Sequence, residues 1–372
     1  MPISIQVKPV TKNVCHLTSY KKEKIFPEEA LFEIKYVYSP KIPLLFRIIL
    51  IIKMMLFLML KLRRGDVLIV QPQGLALSIL SNFKNAHTHL DIRTLPVNIN
   101  SFKDKMDKFL YWSLSLRLFA RRVSSYSFIT QRLKEAVELE LKDKFEQYAI
   151  WTSGVNTNLF KIIEGNSIEK EGSHHFQIFY HGHISIQRGI AELIKAMTIL
   201  KQSGKGIFHL KLVGDGADLA QLKKLAEAEG VGDFVNFAGF QDYSSIPQYI
   251  NQGDLCVCPL PNCTEWNVSS PLKVFEYLAC GKPVVCTPIP AHLDILQNIE
   301  GIVFTKGEDG GALAQAILEA CENMDELRRK STILRKYAVD HFTWQQQANK
   351  LISHLKKYQI IMNEHEGDEY GI

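Results

Sequence analysis

From His175 to Thr305 the chain alternates short apolar or β-branched runs with amphipathic stretches, and this alternation constrains the fold more than any other feature. The runs His175–Tyr180, Ile207–Val213, Val235–Ala238, Leu255–Pro259, Pro283–Thr287 and Ile302–Thr305 read as strands. The stretches opening near Gly189, Asp218, Ser244, Pro271, Pro290 and Gly310 read as helices. Strand and helix in regular succession predict an α/β fold with a parallel, doubly wound sheet. In such sheets ligands bind outside the carboxyl ends of the strands, where the strand order reverses.

The first half alternates less regularly. Val14–Thr18, Leu31–Tyr38, Asp66–Gln71, Ala86–Asp91, Ser127–Thr130 and Tyr148–Trp151 read as strands, and Pro43–Arg64, Ala76–Asn82, Asp104–Val123 and Lys134–Lys144 as helices. The polar stretch Glu164–Ser173 reads as a linker. With 372 residues, room for two domains, the expected division is residues 1–168, residues 169–342 and a terminal helical segment, 343–372. Seven irregularly spaced cysteines, with no C-x-x-C doublet, fit neither a disulfide scaffold nor a zinc site and suggest buried thiols in a reducing compartment. The first 25 residues lack an apolar run of signal-peptide length, so a cytoplasmic location is expected.

Charge is unevenly distributed. Residues 1–161 hold 25 Lys and Arg against 13 Asp and Glu, whereas the remainder holds 19 against 26. A basic half beside an acidic half suggests that one half meets an anionic surface. On a helix advancing about 100° per residue, Arg47, Lys53, Lys61 and Arg64 share an arc of about 120° and the rest of the circumference is largely apolar, although Arg63 falls outside the arc. That is the pattern of a helix lying in a membrane interface, too interrupted by charge to span a bilayer. Asp104–Val123 sets Arg117, Arg121 and Arg122 among aromatic residues and extends the same expectation. The competing reading is a buried crossover helix with snorkelling cations. No base-stacking or sequence-reading motif accompanies these cations, so no nucleic-acid partner is expected.

The chemistry-bearing residues cluster in the second half. Gly182-His183 follows the first strand, with Arg188-Gly189 at the next helix. Gly214-Asp215-Gly216 ends the second strand, Gly239-Phe240 the third, and Ser269-Ser270-Pro271 precedes Lys273 and Glu276. Serines and a proline at a helix start predict a capped N-terminus that favours an anion. Lys273 and Arg188 would add full charges suited to a diphosphate, and Glu276, one turn on, could accept hydrogen bonds from ribose hydroxyls. His181 and His183 also read as strand-end histidines satisfied locally.

In these residues, from about Tyr180 to Phe304, the chain resembles the family-4 nucleotide-sugar glycosyltransferases (glycosyl transferases group 1), of the bacterial surface-polysaccharide type. The resemblance implies two Rossmann-like domains (GT-B) facing a cleft, with the donor held by the second domain and Trp344–Tyr358 crossing back toward the first. Glu276 matches the second glutamate of the family's Glu–seven residues–Glu signature, and Arg188 matches a family cation. The first glutamate's position holds Val268, with Glu265 three residues earlier. His183 stands where an arginine is usual, and Thr18–Lys22 stands where a glycine-rich loop is common.

These readings together lead us to expect a cytoplasmic enzyme, peripheral on the inner face of the cell membrane. It would move a sugar from a nucleoside diphosphate, UDP-linked, to a lipid-linked or polysaccharide acceptor. With no D-x-D motif, metal independence is expected, with no cofactor beyond the nucleotide-sugar co-substrate. Arg188 and Lys273 would take the leaving-group charge. Asp91 and His89 are the expected proton acceptors, with a turn or cap role as the alternative. Gly182, His183, Gly214, Asp215, Gly216, Phe240, Ser269, Ser270, Pro271 and Glu276 would line the donor site. Val268, His183 and the missing glycine loop motivate a second reading, a catalytically inactive subunit that binds membrane or a partner enzyme. A nucleotide-sugar epimerase is a third.

Overall fold

The computed structural model describes residues 4–8, 15–19, 33–37, 46–96, 101–163 and 175–368. The chain divides into two compact units, Met1–Trp151 with Asn349–Ile372, and Thr152–Ala348.

The first unit holds a seven-stranded sheet of β1 (Ser4–Lys8), β2 (Cys15–Ser19), β3 (Glu33–Val37), β4 (Val67–Val70), β5 (His87–Ile92), β6 (Ser125–Phe128) and β7 (Tyr148–Ile150). Its order is β3-β2-β1-β4-β5-β6-β7. β1 runs antiparallel to both β2 and β4, and the other neighbouring strands pair in parallel. The sequence reading missed β1, although Ser-Ile-Gln-Val-Lys alternates as a strand does. Helix Gln131–Leu141 is capped at both ends: the Thr130 side chain accepts from Leu133 N–H at 3.1 Å, and Lys142 ends it in the left-handed region.

The second unit holds β8 (His175–His181), β9 (Ile207–Val213), β10 (Val235–Gly239), β11 (Leu255–Cys258), β12 (Val284–Cys286) and β13 (Ile302–Phe304), in the order β10-β9-β8-β11-β12-β13. All its pairs are parallel. This is the doubly wound sheet that the alternation predicts, and its order reverses between β8 and β11. Alternate residues feed opposite faces. Ile178, Tyr180, Leu210 and Leu212 pack beneath helices Ile190–Gln202 and Gly310–Glu322. Phe179, Cys256, Cys258 and Cys286 pack beneath Leu272–Ala279 and Ser331–His341. Both faces are therefore dry, and each strand reads as a nearly continuous apolar run.

Two expectations need adjustment. The first unit ends at Trp151 rather than near residue 168, because Val155 and Phe160 are buried in the second unit's core with Phe275 and Phe342. Arg335 fastens this entering segment, donating to the carbonyls of Phe160 and Thr157 and also of Ala279. At the other end, the helix Trp344–Asp368 belongs to the first unit only from Asn349 onward. The expected linker Glu164–Ser173 lies outside the described residues.

Candidate functional site

The carboxyl ends of β8, β9 and β10 are laced together by backbone. Gly182 N–H donates to Val213 O at 2.9 Å, Gly214 N–H to Gly239 O at 2.8 Å, and Ile184 N–H to Asp215 O at 2.9 Å. The approach is close enough to require glycine. A Cβ on Gly214 would stand 1.9 Å from Gly182 O, and one on Gly189 would stand 1.8 Å from Pro259 O. Gly189 thus presses the start of helix Ile190–Gln202 onto the end of β11, across the place where strand order reverses. Asp215 is exposed, and its Oδ1 accepts from Gly216 N–H at 2.7 Å. Gly182, Gly214, Asp215 and Gly216 shape this edge through their backbone, while His183 and Phe240 are exposed beside it.

Lys273 and Glu276 both come to this edge. The Lys273 ammonium lies 3.8 Å from the centroid of the Tyr180 ring. A Cβ on Gly182 would be 3.3 Å from Nζ. The Nζ is buried and has no hydrogen-bond partner among the described residues. Glu276 is 2% exposed. Its Oε2 receives the His181 ring at 2.7 Å and its Oε1 receives Tyr243 Oη at 2.8 Å. The His181 tautomer follows from its neighbours. Backbone His181 N–H donates to Tyr277 Oη at 3.2 Å, so the Tyr277 hydroxyl can donate to Nδ1, also at 3.2 Å, and the ring proton sits on Nε2. Burial holds the imidazole below its ordinary range, and hydrogen bonding to Glu276 opposes this only in part. Sequence reasoning missed Tyr243, Tyr277 and Tyr180, whose roles depend on contacts distant in the chain.

Arg188 lies against the same edge, its guanidinium 4.6 Å from the Trp266 ring centroid, and Trp266 Nε1 donates to Gln187 O. Cys258, the last residue of β11, is fully buried. Burial pushes its thiol up, but His292 at 3.5 Å, Lys273 and Arg188 together bring it below its usual value.

The helix start differs from expectation. Pro271, not a serine, is the cap of Leu272–Ala279, and neither serine caps it by its side chain. Ser269 Oγ donates to Trp266 O at 2.8 Å. Ser270 Oγ bonds Thr152 Oγ1 at 2.7 Å and accepts from Ser153 N–H at 3.2 Å. The serines instead fold the preceding loop and hold the entering segment. Val268 is buried, and Glu265 lies on the short helix Thr264–Asn267.

In the first unit, β5 carries His87, Thr88, His89 and Asp91, all buried. His89 Nε2 and Nδ1 lie 2.8 Å from Ser127 Oγ and Ser125 Oγ respectively. Ser127 donates to Asp91 Oδ1 at 2.6 Å, Trp151 Nε1 donates to the same oxygen at 3.0 Å, and His87 Nε2 lies 3.0 Å from Ser125 Oγ. His89 is fully buried with both nitrogens engaged, so it is an internal link in this array and not the open proton acceptor that was expected. Asp91 is different: both described hydrogen bonds fall on Oδ1, and burial raises its carboxyl despite Arg93 nearby.

The basic helices are Phe46–Lys61 and a helical run from Phe102 to Phe119, ending in the turn Ala120–Arg122. Lys53, Lys61 and Arg64 are exposed, as are Ile52, Leu56, Met59 and Leu60; the Arg47 side chain lies outside the described residues. Leu60 is 86% exposed. In the second run Phe102, Phe109, Leu118 and Arg117 are exposed. Trp112 is instead core, its Nε1 donating to Glu140, and Arg121 is paired with Asp143 at 2.7 Å. Arg122 is exposed, its guanidinium 5.5 Å from the Phe119 ring centroid. Among the described residues no helix is long and apolar enough to cross a membrane.

Residues 166–340 match the family Glycosyl transferases group 1. The chain is 22% identical over 185 residues to an uncharacterized glycosyltransferase of Methanocaldococcus jannaschii, a match covering 49% of this chain and 45% of the relative, so it spans under half the length of that protein. Among solved structures it is similar to sucrose-phosphate synthase from Thermosynechococcus elongatus, at TM-score 0.71 and 16% identity, covering 92% of this chain and 86% of that one. HepE of Anabaena, in complex with UDP and glucose, matches at TM-score 0.68 and 16% identity, covering 88% and 86%. A glycosyltransferase of Rickettsia africae matches at 0.63 and 15%, covering 89% and 85%. The fold is thus that of GT-B glycosyltransferases, α/β with Rossmann-like units.

Proposed function

We propose that this chain, with its glycosyl transferases group 1 domain, is a glycosyltransferase that takes its sugar from a nucleoside diphosphate, UDP-linked. One observation carries the reading: at the strand-order reversal, a buried ammonium, Lys273, faces a tyrosine ring with no acceptor among the described residues. An ammonium has three donors, and leaving them unmet in a buried place is costly unless a ligand meets them. A diphosphate supplies both the charge and the acceptor oxygens. HepE of Anabaena, in complex with UDP, supports the same class of donor.

In this reading the acceptor hydroxyl oxygen forms a bond to the anomeric carbon as the carbon–phosphate-oxygen bond breaks. The charge arriving on the diphosphate is met by Lys273 and Arg188. Glu276 holds the ribose. Asp91 is the proposed acceptor of the hydroxyl proton. No metal is assigned to the step.

The acceptor proposed is lipid-linked or a glycan at the cytoplasmic face of a membrane. Large exposed apolar side chains beside Lys53, Lys61 and Arg117 support docking to an anionic bilayer, since such a surface is unfavourable in water and each cation near an anionic leaflet contributes about 1 kcal/mol.

The test is thermal unfolding with UDP, GDP, ADP and CMP derivatives, followed by turnover with membrane extract as acceptor. We expect UDP compounds to raise the midpoint and UDP-sugar to be consumed only with acceptor. No response to any nucleotide would contradict the proposal. Buried Val268, where the family signature has glutamate, favours a second reading, an inactive subunit, which nucleotide binding without any transfer would support.

A further inference from the structure

We infer that Tyr243 occupies, on Glu276, the position a donor's ribose hydroxyl takes, and that it must swing away for the donor to bind. The inference rests on the reading of Glu276 as the ribose-binding group. The two carboxylate oxygens differ in how firmly they are held. Oε2 receives Nε2–H of His181 at 2.7 Å, and His181 is fixed in turn by Tyr277, which is fully buried. That side cannot yield without disturbing the core.

Oε1 receives the hydroxyl of Tyr243 at 2.8 Å, and Tyr243 is 51% exposed. It sits on the short turn Tyr243–Ser245 just after β10, with its ring tilted against Phe160 at 5.2 Å. With half of its surface exposed, rotating the side chain costs one charge-assisted hydrogen bond and part of one ring contact. With Glu276 only 2% exposed, a second hydroxyl has no approach to the carboxylate while Tyr243 stands on it. The phenol O–H and a sugar O–H are the same kind of donor to the same oxygen. Tyr243 therefore keeps the carboxylate hydrogen-bonded without donor and sets a threshold: a nucleotide must bring a hydroxyl able to replace the phenol. This makes Tyr243 a positioning and specificity-determining residue rather than a catalytic one.

The experiment is calorimetric titration of UDP and 2′,3′-dideoxy-UDP into the full chain and into Tyr243→Phe, which keeps the ring and removes the hydroxyl. We expect the full chain to bind UDP more tightly than the dideoxy compound. We expect Tyr243→Phe to bind UDP more tightly still, on the order of tenfold, and the dideoxy compound within about twofold of the unchanged protein. A single cooperative unfolding transition, at a midpoint above the titration temperature, establishes that the variant is folded. If the unchanged protein discriminates between the two nucleotides but Tyr243→Phe binds UDP no more tightly, the Tyr243 assignment is overturned and Glu276 stands. If the unchanged protein binds both nucleotides equally, the ribose reading of Glu276 is overturned, and with it the role of Tyr243.

Discussion

The Nζ of Lys273 stands 3.8 Å from the centroid of the Tyr180 ring, and that ring's hydroxyl donates to His183 O at 3.1 Å. The strand end and the helix turn therefore hold each other through one aromatic side chain. A cation over a tyrosine face gains about 0.5–2 kcal/mol, which leaves the hydrogen-bonding demand of an ammonium unmet. The positioning costs stability and makes sense chemically if an anion completes it.

The glycine approaches set the edge, and they are testable by the smallest possible side chain. Gly189→Ala and Gly214→Ala each place a Cβ within 2 Å of a carbonyl oxygen and strain a positive φ, +76 and +140 respectively. Each is expected to lower unfolding free energy by about 3 kcal/mol or more, measured by urea denaturation. A loss below about 1 kcal/mol would show that the strand ends can part without consequence.

Acid should weaken the first unit. Burial, with His354 nearby, lowers His87 from 6.5 to about 4. Between those values the unfolded chain holds a proton that the folded chain does not, so this contribution is complete above 6.5 and is lost as pH falls toward 4. His87 alone accounts for about 3 kcal/mol. His89 shifts the same way, whereas Asp91, raised by burial, has the opposite sign. The His87 share is read from urea midpoints at pH 7.5 and 5 in the unchanged chain and in His87→Asn. We expect the pH dependence to be shallower in the variant, and equal slopes would refute the assignment.

The lipid reading has its own variant. Leu60 is 86% exposed, so Leu60→Glu should leave the unfolding midpoint within about 0.5 kcal/mol of unchanged. It should, however, sharply reduce flotation with vesicles of anionic lipid. Flotation equal to that of the unchanged chain, or equal binding to neutral and anionic vesicles, would count against a docked helix.

The second unit was legible because its periodicity is strong. Every strand from β8 to β13 matches an apolar run, and the crossover geometry follows from the alternation. The first unit was harder. The four buried polar residues of β5 break the apolar pattern that marks a strand, although its location was still readable. Within the site, Lys273, Glu276 and Arg188 stood out because charge and helix position are local properties. Their partners were hidden: His181–Glu276 spans 95 positions and Tyr243–Glu276 spans 33, so only the fold brings them together. Ser269 and Ser270 misled for the opposite reason. Cap grammar is local, but Ser270 is claimed by Thr152 and Ser153, more than a hundred residues earlier.

The most direct test of the central claim is calorimetric titration of UDP into the unchanged chain and into Lys273→Met, which keeps the length and apolar stem and removes the charge. We expect saturable binding to the unchanged chain and affinity lower by at least about tenfold in Lys273→Met, at an unfolding midpoint no lower than that of the unchanged chain. Equal affinity in the two proteins, or no UDP binding by the unchanged chain, would contradict the account.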